Sequence, residues 1–230
     1  MKALIEAAQK LTLAAGLFFT GTVLRAESTI AQPIPGSAST MGDGAKGVVL
    51  IAVRWDRRWN CGGFENAQLR FIGFDKLPST KSSDEARSDI VLDDAPRLLT
   101  KPMFDHYAFL VEPGEYGVSR IDIKVASSVR DIRIATAPRS KLLKDGQPLG
   151  GSFTVGTGET VFIGLFYLDC YQEPTLWRYY PDGREEFNRY LETAKKTFPA
   201  LDTEKVVFRL FRTTVFGQDY SLQSVPSPRR

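Results

Sequence analysis

Two stretches of the chain hold the residue types that most often make contacts with other molecules. The first is Trp55-Asp56-Arg57-Arg58-Trp59-Asn60-Cys61, and the second runs through Tyr171, Trp177, Arg178, Tyr179 and Tyr180. Tryptophan, tyrosine and arginine dominate binding hot spots, and aromatic faces also stack on sugar rings. Cys61 ends the first stretch and Cys170 opens the second. In an oxidising compartment two such cysteines read as a disulfide, which makes the stretches neighbours. Closing a loop of that size stabilises a fold by about 2–4 kcal/mol. Trp55, Arg57, Arg58, Trp59, Tyr171, Trp177, Arg178 and Tyr179 then admit two readings. They form a binding patch, or Trp55 and Trp177 pack around the disulfide as a satellite core.

Catalytic sets are poorly represented. His106 is the only histidine. Asp105 precedes it directly, and adjacent residues on a strand point to opposite faces, so the pair is not a base and its orienting acid. A Gly-x-Ser-x-Gly nucleophile elbow is missing. Glycoside hydrolysis needs two carboxyl groups about 5–10 Å apart across a cleft. Asp93-Asp94, Asp182 and Glu185-Glu186 are the available acids. Glu185 and Glu186 more simply decorate a first helical turn, with Asp182 as its cap. Asp84, Glu85, Asp89, Asp93 and Asp94 offer oxygens for calcium, but their spacing is not that of an EF-hand and reads as a solvated loop. Two cysteines and one histidine far apart make a poor zinc set. Gly42-Asp43-Gly44 has no strand before it and no helix after it, so it fails as a phosphate loop. No metal site and no cofactor are expected.

The elements that position these residues are mostly strands. Arg120 to Val125 alternates, with Ile121, Ile123 and Val125 on one face and Arg120, Asp122 and Lys124 on the other. That is a half-buried strand. Asp131-Ile132-Arg133-Ile134 repeats the pattern and predicts a hairpin across Ser127-Ser128. Gly47 to Trp55 is apolar on both faces, as a central strand is. Pro113-Gly114 predicts a turn between two strands. Thr160 to Leu168 is another doubly buried strand, and it delivers Cys170. In Arg184 to Phe198, Phe187, Tyr190, Leu191 and Ala194 recur at helical spacing, and Pro199 ends the run. Leu77 to Asp105 reads as a long surface loop with one edge strand at Ile90-Val91-Leu92. The expected fold is mainly β: an antiparallel β-sandwich with one appended C-terminal amphipathic helix.

The ends suggest an address. Lys2 and Lys10 precede an uncharged run from Leu11 to Leu24, too short for a membrane span and suited to an export signal. Residues 1–31 are assigned to that signal, with a cut after Ala26 as the alternative. Residues 32–46, rich in Pro, Gly and Ser, read as a flexible leader, 47–218 as a single β-rich domain, and 219–230 as a flexible tail. The mature chain is expected to lack a transmembrane span and to be periplasmic or secreted, or else signal-anchored and facing outward. A net charge of +3 is too balanced for nucleic acid.

The turn-and-strand runs Phe109 to Tyr116 (FLVEPGEY) and Gly156 to Gly164 (GTGETVFIG) resemble motifs of bacterial envelope β-sandwich proteins, transthyretin-like or carboxypeptidase-regulatory-like in type, including small lipoproteins. The resemblance implies a sandwich and an envelope location and brings no catalytic residues with it. The chain departs from the lipoprotein members in lacking a lipidation cysteine. The expected function is that of an exported, non-catalytic envelope protein presenting a binding or assembly surface to another envelope protein or a saccharide. The alternative is an exported hydrolase using paired carboxylates.

Overall fold

The computed structural model describes residues 31–42, 44–93, 102–145 and 147–222. The expected signal segment before residue 31, Asp43, Asp94 and the last eight residues of the tail lie outside the described residues.

In chain order the elements are β1 (Gln32–Pro33), β2 (Gly47–Val53), β3 (Arg58–Cys61), β4 (Phe64–Leu77) and β5 (Ile90–Asp93). Next come β6 (Asp105–Val111), β7 (Gly114–Ser128) and β8 (Asp131–Ala137). A single helical turn, α1 (Arg139–Leu142), leads into the small pair β9 (Leu143–Lys144) and β10 (Gln147–Pro148). The chain continues through β11 (Ser152–Val155), β12 (Thr160–Asp169), β13 (Thr175–Tyr179), α2 (Gly183–Thr197) and β14 (Val206–Phe208).

The protein is mainly β, with two six-stranded sheets. The first runs β1-β6-β2-β12-β13, with β14 also on β12; the second runs β11-β7-β4-β3, with β5 on β4 and β8 on β7. The second sheet is antiparallel throughout, but the first is mixed, because β12 pairs parallel with both β2 and β14. This corrects the expectation of a purely antiparallel fold. The parallel partners are distant in sequence, so their pairing leaves no hairpin signal.

Strand β2 shows why its sequence is apolar on both sides. Val49, Ile51 and Val53 enter a core shared with Leu69, Ile72 and Phe74 of β4. Val48, Leu50 and Ala52 enter a second core with Phe187, Tyr190, Leu191 and Ala194 of α2. Strand β2 thus has a core on each face, one shared with β4 and the other with α2. Fully burying each such aliphatic side chain stabilises by about 1.5–3 kcal/mol. Phe74 is an aromatic hub, with the rings of Phe153, Phe166 and Phe211 at 5.7, 6.3 and 5.8 Å.

Three further expectations need correction. Asp131–Ala137 does form the hairpin partner of β7, but Ile132 and Ile134 are exposed, because no element among the described residues covers β8. The segment expected to be a flexible leader docks at its start: Gln32 and Pro33 pair with Leu110 and Phe109, and Ile34 N donates to Ala108 O at 2.8 Å. Tyr220, assigned to the loose tail, stacks on Tyr180 with centroids 3.6 Å apart.

The loop after β4 is organised by charge. Asp75 is fully buried and accepts from Arg139 Nε at 2.6 Å and from Lys81 Nζ at 2.9 Å. Lys81 also donates to Asp89 at 2.7 Å. The Arg139 Nη1 and Nη2 groups donate to the carbonyls of Ser83 and Ala86. A buried ion pair is tolerable only when its remaining hydrogen-bonding groups are met, and here a loop supplies them.

Candidate functional site

Local backbone chemistry delivers both cysteines. Gly62 and Gly63 join β3 to β4 with φ of 57° and 81°. Two positive φ values make the tight hairpin turn that glycine favours. A side chain on Gly62 would come within 2.7 Å of Gln172 O and Glu173 Cα, so this turn seats directly on the chain after Cys170. Cys61 and Cys170 are bonded, with Cα atoms 4.6 Å apart and a separation of 109 in sequence. The bond ties the second sheet, through β3, to the first, through the end of β12. The chain-entropy account gives a loop of that length a stabilisation of about 4–5 kcal/mol.

Around the bond lies an aromatic and arginine cluster centred on Tyr167. The guanidinium carbons of Arg54 and Arg58 sit 4.2 and 4.7 Å from its ring centroid. Arg58 Nη1 also donates to the Tyr167 hydroxyl. Arg54 is fixed by a two-pronged contact with Asp56, at 2.5 and 2.9 Å. That bond raises the Arg54 pKa against the opposing effect of burial. Phe104 and Tyr179 complete the ring contacts of Tyr167 at 6.4 and 6.3 Å. Burial, then the nearby Asp169, pushes the Tyr179 hydroxyl above its ordinary value, and Arg58 opposes this.

The eight residues expected at this site divide into three groups. Trp59 is 59% exposed, Tyr171 87% and Tyr179 36%, and Arg57 caps the Trp59 ring at 5.5 Å. Arg57 is exposed as well, and Arg58 is half-buried against Tyr167. Trp55 is buried in the main core and donates its indole N–H to the Tyr107 hydroxyl at 2.8 Å; Trp177 is half-buried against the same core. Those two are core residues as the second reading expected, but of the main core shared with Cys61 rather than of a separate satellite. Arg178 does not belong to the patch. Alternation along β13 sends Trp177 and Tyr179 to one face and Arg178 to the other, where it is 1% exposed. Tyr167 and Arg54 were not assigned to the site from sequence, the first because it lies inside the apolar run from Thr160 to Leu168 and the second because its ring contact is long-range.

Beside the cluster a groove of about 460 Å³ opens between β6, β12 and α2. Phe104, His106, Leu165 and Tyr190 line it. His106 lies 5.3 Å from the Tyr190 ring, and burial lowers its pKa while Asp105 opposes the shift.

The candidate acids go elsewhere. Asp84 accepts from Ser140 N and Oγ at 2.7 and 2.8 Å, which holds its carboxyl below the ordinary range. Asp89 is committed to Lys81 and Glu185 to Arg189. Asp182 stands at the N-cap of α2, yet its side chain makes no capping bond; instead Glu186 reaches back to accept from Asp182 N. Glu85 is exposed in the loop after Lys81, and Asp93 is exposed at the end of β5. Among the described residues, no group of three or more His, Cys, Asp or Glu sits together as a metal site. No described helix is long and apolar enough to cross a membrane. The chain matches no protein-family model, no curated protein and no solved structure.

Proposed function

We propose that this protein is an exported binding module of the cell envelope, without catalytic activity, that presents the surface around Cys61–Cys170 to an envelope protein or a saccharide. The carrying observation is that Trp59, Tyr171 and Tyr179 stay exposed on segments clipped together by a disulfide. Large aromatic rings at such a fixed site lose little side-chain freedom on binding, which favours affinity. Arg57 and Arg58 supply donors beside them.

Export accords with the bonded cysteines, since such bonds persist in oxidising compartments. The two sheets with a shared core are read as a β-sandwich of transthyretin-like or carboxypeptidase-regulatory-like type, with α2 as its appended amphipathic helix. The hydrolase alternative finds little support, because Asp84 and Asp89 are engaged beside the second sheet while Glu185 and Glu186 ride on α2 beside the first.

The test is affinity capture from a detergent-solubilised envelope fraction and from soluble glycan fragments, comparing the native chain with a Trp59→Ala/Tyr179→Ala variant. A specific ligand is expected to be lost from the variant. Undiminished capture of every ligand by the variant defeats the reading.

A further inference from the structure

A second site is built around Arg178, on the opposite face of β13. Two glycines shape its seat. Gly164 has a φ of 131° at the point where the register of β12 against β2 shifts, and a Cβ there would lie 2.8 and 2.9 Å from Arg178 Cγ and Cδ. A Cβ on Gly217 would lie 3.1 to 3.2 Å from the guanidinium. Both positions therefore make room for this one side chain. The chain crossing over it is held by Arg178 N, which donates to Phe216 O at 2.7 Å, and by Nη2, which donates to Gln218 O.

Among the described residues, Nε and Nη1 of Arg178 have no acceptor. A guanidinium cannot shed its charge to escape that situation. Burial pulls its pKa below the ordinary value, and Asp219 opposes this by charge alone, without a hydrogen bond. Arg178 also lines a cavity of about 570 Å³ whose other walls include Arg209, Arg212, Asp219 and Tyr220. Arg209 is engaged by Glu159 at 2.5 Å, whereas Arg212 is exposed. The Tyr220 hydroxyl accepts from Gly183 N at 2.9 Å, which leaves its own proton to donate.

We propose that this cavity is a binding site for a small oxyanion, a carboxylate or a phosphate, recognised by the Arg178 guanidinium. A planar guanidinium offers paired N–H groups that match two oxygens of such an anion. Arg212 supplies further positive charge at the wall and Tyr220 a neutral donor. Asp219 competes with the ligand, and the anion enters as the Gly217–Asp219 chain shifts off the guanidinium edge. The site is independent of the aromatic surface, which occupies the other face of the same strand.

The experiment is an NMR titration of the full, disulfide-bonded chain with acetate, inorganic phosphate and, at matched ionic strength, chloride. The Arg178 Nε–H signal, assigned by its loss in Arg178→Lys, reports directly. Acetate or phosphate is expected to move it to saturation while chloride does not. Tighter acetate binding assigns a carboxylate ligand and tighter phosphate binding assigns a phosphate. Backbone amides of Gln218 and Asp219 should show Arg178→Lys weakening the anion by about tenfold, since the fork is lost while the charge is kept. Asp219→Asn should tighten binding by about threefold by removing the competing charge. If Arg178→Lys does not fold, Arg212→Gln on the exposed wall serves, with binding weaker by about threefold. The Trp59→Ala/Tyr179→Ala variant should titrate like the native chain, so failure here and failure of the aromatic surface are separable. A response equal for chloride, or one that neither Asp219→Asn nor Arg212→Gln alters, overturns the proposal.

Discussion

Arg139 and Arg178 are both nearly inaccessible, at 4% and 1% exposure, yet their surroundings differ completely. Arg139 has an acceptor for each nitrogen: the Asp75 carboxylate and the carbonyls of Ser83 and Ala86. Arg178 has one, the Gln218 carbonyl. The first side chain is used by the fold, pinning a loop that has little apolar surface to bury. The second is a cost to the fold that packing alone does not explain, since an apolar side chain would fill the same seat without the desolvation penalty. A buried charge is thus informative through its partners: completed bonds point to architecture, and uncompleted bonds beside a cavity point to a ligand.

The largest effect should come from removing the support both regions share. Replacing Cys61 and Cys170 together by Ala should cost about 4 kcal/mol in denaturant unfolding, because sheets joined across 109 positions lose their covalent tie. Arg139→Met should come next, at about 3 kcal/mol, by leaving the fully buried Asp75 with Lys81 as its one remaining cation. Arg178→Met should change stability by no more than about 1 kcal/mol, and should raise it if anything, because it removes a buried charge whose one side-chain acceptor, the carbonyl of Gln218, belongs to an exposed residue. Equal losses at the two arginines, measured by the same unfolding curves, would break the comparison. The smallest effect concerns His106, a half-buried imidazole whose surroundings favour its neutral form. Its folded pKa is lowered, chiefly by burial, so the unfolded chain binds more protons. Stability should therefore be complete above the unfolded value near 6.5 and decline as pH falls below it. His106→Gln should flatten the slope of the urea midpoint between about pH 7 and pH 5.

Sequence pattern made some of this legible and left the rest hidden for definite reasons. Gly47–Val53 read correctly because a strand between two cores is apolar at every position. The pairing of β7 with β8 was legible because Arg120 to Val125 alternates so cleanly, but the turn falls at Val129-Arg130 rather than at Ser127-Ser128, since β7 runs on through both serines. The Cys61–Cys170 bond followed from counting thiols. Arg178 was misplaced because Leu176 and Trp177 are both apolar, so β13 gives no alternation from which to decide its faces. The Asp75–Arg139 pair joins residues 64 positions apart, and nothing local marks either as buried. Gly62-Gly63, by contrast, was a readable hairpin signal that the aromatic residues around it obscured.

Strand β8 carries a consequence for the protein in concentrated solution. It is bonded to β7 along one side, and its Ile132 and Ile134 are 52% and 53% exposed. A bare strand margin with greasy side chains is a template on which other molecules crystallise into ladders. Asp131 and Arg133 alternate with those isoleucines, and Arg130 stands just ahead of them. Charges in these positions act as gatekeepers against self-association, and Arg133 also covers the ring of Phe64 at 5.5 Å, so one of these guards is held in place by the sheet that it protects.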